Sequence, residues 1–228
     1  MQQGVFLLWV ICVGVSLGVW IYLEVSLSRY GSLQTRRKLT GYELARQILD
    51  RHQSGRVPIE AVPQGRDLGA SLDKLFLREE DYRGSRLAHL ARSLFGATRL
   101  LVGSKSVASL YLRGLGERSF QWVIVSSWVL VLLGAAFRFA RPAATLGQIL
   151  FVLSGLLAVA SLGEEFEVGK RSVSNLMSVE GFELDEKVRM KKLLESLRWW
   201  PFALLIQAPF SLSVRSSEKS SHVLSKSK

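Results

Sequence analysis

The chain has 228 residues, and Lys and Arg outnumber Asp and Glu by 30 to 19, a formal net charge of +11. Its apolar residues are gathered into long blocks, so a membrane protein with water-exposed parts is expected and domain estimates from length do not apply. The single cysteine, Cys12, excludes a disulfide framework or thiolate metal site within one chain, and the absence of aromatic and basic interleaving argues against nucleic acid, leaving topology and anionic lipid headgroups as the meaning of the positive charge.

Residues 5–23 are apolar throughout, with Trp9, Trp20 and Tyr22 toward the ends. The stretch is long enough to span a bilayer. No Lys or Arg precedes it and no small-residue cleavage site follows Trp20, so residues 1–27 are expected to be a retained anchor rather than a cleaved signal peptide. Arg29, Arg36, Arg37 and Lys38 come directly after it, and positive charge beside a span marks the cytoplasmic side.

Residues 28–119 form a mixed, water-exposed region. Thr40 followed three residues later by Glu43 is a capping-box signature, and Leu44, Ile48 and Leu49 then recur at helical spacing. Between residues 54 and 73 the chain is polar and punctuated by Gly and Pro, with one extended piece over 57–62 and a possible partner strand over 74–77. Helical periodicity returns over 82–101. Leu87, Leu90, Leu94 and Leu101 share one face, which packs, while Arg92 and Arg99 project to the opposite side, as solvated or headgroup-facing cations. His89 lies off the leucine face.

Residues 120–140 and 143–162 are two apolar spans separated by Arg141 and Pro142, which reads as a transmembrane hairpin. Arg138 lies near its turn, where a long side chain reaches the headgroups. Residues 163–198 are expected to be cytoplasmic amphipathic helices. Glu167 and Arg171 stand at i, i+4 in the favourable order, and Val188, Leu193, Leu194 and Leu197 make an apolar side beyond Asp185. Trp199 and Trp200 then open a short apolar block, 199–214, containing Pro201 and Pro209, which is a fourth span or a re-entrant segment. Residues 215–228 form a Ser- and Lys-rich tail expected to be disordered.

Lys and Arg number 17 in residues 28–119, two in the hairpin turn, seven in 163–198 and four after 214. With four spans and the first end outside, both charge-rich regions are cytoplasmic, as the positive-inside rule requires. The fold class expected is therefore mainly α: a multispan helical integral membrane protein with a small cytoplasmic region of helices and minor β between the first and second spans.

The order of these parts resembles the membrane-bound neutral zinc metallopeptidases over nearly the whole chain. The sharpest matches are Leu39-Thr40-Gly41-Tyr42-Glu43 running to Leu49, then Leu77 to Tyr82, then Leu162-Gly163-Glu164-Glu165-Phe166 running to Arg171, which meets the family's Leu-Pro-x-Glu-Phe-x-x-Ser-Arg-Arg. The resemblance implies a helix after Tyr82 bearing H-E-x-x-H. In that motif two imidazoles one turn apart hold zinc, the Glu deprotonates its water, and a third ligand comes from elsewhere.

This sequence lacks that motif. An ungapped match from Tyr82 puts Phe95, Gly96 and Arg99 at the three key positions. Anchoring on the motif's Gly gives Ser93, Leu94 and Ala97, and anchoring on Ala-His gives His89, Leu90 and Ser93. The third ligand falls on Glu165, which is present, whereas His52 and His222 lie in a polar loop and the tail.

The expected function is a catalytically inactive scaffold of this family. It is expected to bind no cofactor and no nucleic acid and to contact the lipid bilayer, its anionic headgroups, and a membrane-protein partner or active relative. It is expected in the plasma (inner) membrane of a prokaryote with its large polar regions cytoplasmic. The alternative is an active zinc metallopeptidase with a rearranged site, in which His89 and Glu165 are the catalytic candidates and His89, Glu164, Glu165 and Glu167 the metal candidates. A Ser93 and His89 pair one turn apart has no nucleophile elbow around it.

Overall fold

The computed structural model describes residues 2–36, 38–54, 56–62, 70–71, 74–103, 116–137 and 141–207. The predicted tail with His222, residues 208–214 and Arg138 lie outside them. The described chain is mainly helical. Its elements are α1 (Gln2–Gly31), α2 (Gly41–Arg51), β1 (Ile59–Val62), β2 (Ala70–Ser71), β3 (Lys74–Arg78), α3 (Glu79–Arg83), α4 (Leu87–Val102), α5 (Gly116–Ala136), α6 (Arg141–Ser178) and α7 (Leu184–Leu197). Residues 200–207 are again helical.

The start of α2 forms as its sequence predicts. Thr40 Oγ1 accepts from the Glu43 backbone N–H at 3.3 Å, and Glu43 Oε2 accepts from the Thr40 N–H at 2.8 Å, which satisfies two of the donors a helix start leaves open. The hydrogen bond from the Thr40 backbone, and then that from its hydroxyl, hold the Glu43 carboxyl below its ordinary pKa. Because folding favours the ionised form, the box acts in full above the ordinary carboxylate range and fades as pH falls through the lowered pKa. Thr40→Ala is expected to cost about 1 kcal/mol near neutral pH, and less in acid, by denaturant unfolding.

The strand pairing also follows the sequence, with one addition. β1 runs parallel to β3, Ile59 opposite Leu75 and Ala61 opposite Leu77, and the two-residue β2 lies antiparallel on the other edge of β3. Leu75 and Leu77 turn to the same side, as alternate strand residues must, and both are fully buried.

One core holds the polar body together. Leu44, Ile48 and Leu49 of α2, Leu75 and Leu77 of β3, Leu87, Leu90 and Leu94 of α4, Val168 and Leu176 of α6, and Met190, Leu193, Leu194 and Leu197 of α7 meet in it, joined by Leu23 of α1. The expected apolar side of α7 needs one correction. Val188 is exposed and Met190 takes its place, because the buried stripe runs 190, 193, 194, 197 and Val188 projects about 200° from Met190.

A second core lies among the apolar helices. Ile124 of α5, Phe151 and Ala158 of α6, and Phe202 and Leu205 pack together with Trp9, Cys12 and Trp128 around them. Gly147 marks the closest approach of α5 and α6, where a Cβ would stand 2.5 Å from the Ser127 carbonyl oxygen. Small residues of this kind let apolar helices meet backbone to backbone. The last apolar block enters this core: the Trp128 indole N–H donates to the Leu205 carbonyl at 3.4 Å, and residues 201–206 are buried.

Two helical stretches, Gln3–Gly31 and Pro142–Ser178, are long and apolar enough to cross a membrane, and Trp122–Ala136 is a shorter apolar helix. Leu146, Ile149, Leu153, Leu156 and Val159 form an exposed stripe on α6, while α1 exposes Phe6, Leu7, Leu8, Ile11, Val15 and Ile21. The helix expected to leave the hairpin after Leu162 is continuous with its second half: α6 runs unbroken to Ser178, and Val168 and Leu176 of its far half are buried in the core of the polar body.

Candidate functional site

α4 is the element to which the others are fitted. Its leucine face is buried as expected, but Arg92 and Arg99 are not on a solvated face. Their side chains are only 18% and 13% exposed. The periodicity correctly separated two faces of α4; both are covered, one by apolar side chains and the other by carboxylates from α3 and α6.

At the start of α4 the carboxylate is Asp81, fully buried at the centre of α3. Its Oδ1 lies 2.7 Å from His89 Nδ1 and 3.3 Å from Arg92 Nη1. The imidazole lies against Gly84, where a Cβ would come within 2.6 Å of the ring. Ser93 is buried, its hydroxyl turned to the Asp81 carbonyl at 3.5 Å, and a Cβ on Gly41 would fall 2.3 Å from that hydroxyl. The Gly41 N–H donates to the Gly84 carbonyl at 3.1 Å, and the Tyr42 and Tyr82 rings stand 4.8 Å apart. The two short motifs, Leu39 to Leu49 and Leu77 to Tyr82, are thus an interlocked support for α4.

At the other end of α4, Arg99 Nη2 lies 2.6 Å from Glu165 Oε1 of α6, with the Glu165 side chain 2% exposed. One residue earlier, Thr98 accepts from the Asn175 amide at 3.2 Å. Between the two ion pairs, a Cβ on Gly96 would lie 3.3 Å from Leu75 Cδ1, so the β3 side of α4 is closely filled.

The residues predicted from sequence are therefore divided among different partners. His89 is with Asp81, Glu165 is with Arg99, and Glu167 accepts from Arg171 Nε at 2.8 Å as its spacing suggested. Glu164 is partly buried on α6. His52 Nδ1 meets the Ile48 carbonyl at 3.0 Å and lines a cleft of about 420 Å³ with Ser54, Thr98, Arg171 and Asn175, none of them a carboxylate. Sequence reasoning missed Asp81 and the partners of Arg92 and Arg99. An Asp closing the run Glu79-Glu80-Asp81, just before a helix bearing His and Arg at 89 and 92, was the available signal.

A family model described as "Putative neutral zinc metallopeptidase" matches residues 5–199. The chain belongs to this neutral zinc metallopeptidase family. No curated protein and no solved structure matches it.

Among the ways of laying the metallopeptidase H-E-x-x-H motif on α4, the geometry favours one. Ser93 faces the Asp81 carbonyl, Ala97 is in the core and His89 is held by Asp81, whereas Arg99 of the ungapped match is the α4 residue in contact with Glu165. In the ungapped match Phe95 and Arg99, one turn apart on α4, take the two histidine positions of the motif. Zinc in a catalytic site takes three protein ligands. Among the described residues no three His, Cys, Asp or Glu side chains gather into a group that could hold a metal. The described residues do not fit the family's zinc.

Proposed function

We propose that this metallopeptidase family member is a catalytically silent, membrane-embedded scaffold whose polar body binds a membrane protein, either an active relative or a client. The observation that carries this reading is the buried Arg99–Glu165 ion pair, because it occupies with a cation the carboxylate that the family chemistry needs as a zinc ligand.

The membrane part of the proposal is a multi-pass arrangement in the inner membrane of a prokaryote. The outward apolar stripes of α1 and α6 face lipid, since an exposed apolar surface of this extent is otherwise an interaction site or a liability. Lys and Arg concentrate in residues 28–119 and 163–198, which supports a cytoplasmic polar body and far half of α6 beside anionic headgroups.

The test is elemental analysis of the detergent-purified protein together with a peptide-cleavage assay. The expected result is neither bound zinc nor chelator-sensitive cleavage. About one zinc per chain with chelator-sensitive hydrolysis would overturn the scaffold reading and favour an active enzyme.

A further inference from the structure

We infer that the Arg99 guanidinium sits in the seat a divalent cation would take between α4 and α6, so that an organic cation built into the chain neutralises Glu165 where the family's chemistry would use a metal. The inference deepens the silent-scaffold reading and rests on it.

The position follows from three observations. Glu165 is 2% exposed, and a carboxylate that deep needs a positive partner or a proton. Its partner is 2.6 Å away on α4, the helix to which the family's motif belongs. That partner is at the second histidine position of the ungapped match, so the same helix face and the same α6 carboxylate converge, with one side-chain type exchanged. A guanidinium supplies one positive charge and only donors, so it neutralises the carboxylate but cannot coordinate and deprotonate a water as a metal does.

On this inference the seat is convertible. Phe95 and Arg99 are one turn apart, and two histidines there would join Glu165 as a three-ligand set of the kind zinc accepts. Phe95 is 7% exposed and in the core, so an imidazole there replaces a buried ring of similar shape.

The experiment uses the full chain purified in detergent, loaded with zinc alone, dialysed, and measured for metal per chain. Wild type is expected at background, Phe95→His/Arg99→His at about one zinc per chain, and the same pair with Glu165→Ala back near background. A folded double variant that takes up no zinc would overturn the inference and leave the scaffold reading untouched. Zinc that survives Glu165→Ala would also overturn it, by placing the metal elsewhere. Peptide cleavage by metal-free wild type, with zinc uptake by the double variant, would instead sink the scaffold reading and leave the seat standing.

Should Phe95→His disturb the core, Arg99→His alone decides the matter. It keeps Phe95 and offers zinc only one imidazole and Glu165, a weaker two-ligand site, so zinc in large excess is expected to raise its melting temperature reversibly, with chelator returning it, and to leave Arg99→His/Glu165→Ala unmoved. A melting temperature indifferent to zinc would count against the seat.

Discussion

Arg99→Met is expected to destabilise the protein by about 3–5 kcal/mol, because it leaves Glu165 buried without the cation that neutralises it. The side chains are 13% and 2% exposed, so water relieves little of that cost. Glu165→Leu alone is expected to be comparably harmful, for the converse reason. The double change, Arg99→Met with Glu165→Leu, is expected to recover most of the loss, since a buried pair replaced by packed apolar groups is often neutral. Denaturant unfolding of the four proteins in one detergent measures the coupling. Additive single effects would show that Arg99 and Glu165 are not partners.

Asp81→Ala is expected to cost about 3 kcal/mol, by removing the carboxylate that Arg92 and His89 share. The damage should reach beyond α3. Gly41 approaches the Asp81 carbonyl so closely that a Cβ would stand 2.1 Å from it, and Gly84, which takes the Gly41 N–H, lies under the His89 ring. The Asp81 backbone carbonyl stays in the variant, but the His89 ring is no longer held over Gly84, so the α2–α3–α4 junction is expected to loosen as one unit. Amide hydrogen exchange should show lost protection across residues 41–51 as well as at the start of α4. Loss confined to residues 79–92 would mean that the two motifs are held by separate contacts.

Both predictions concern carboxylates that local patterning ranked low. Asp81 drew no notice in the sequence and Glu165 stood out only through the family resemblance, since carboxylates in charged segments usually stay in water. What changes their weight is burial, which depends on what lies over them. The same holds for α6. Its apolar half and a salt-laced helical continuation were plain from composition and spacing, but the burial of Glu165 in that continuation was not, because it depends on the cation that α4 supplies. The last apolar block was legible as apolar and ambiguous as a span, and its described part is buried against α1, α5 and α6.

The sequence by itself determined the features that arise within a few residues of chain: the capping box at Thr40, the leucine face of α4, the strand over 74–77, the apolar blocks, the family motifs and the missing H-E-x-x-H. Each depends on i to i+4 spacing or on local composition, and these are set before any distant segment arrives. Only the tertiary structure decided which cation meets which carboxylate. Arg99 and Glu165 are 66 positions apart, and no periodicity links them. Their pairing is fixed by how α4 packs on α6, and a shared core of leucines, not the charges, sets that packing.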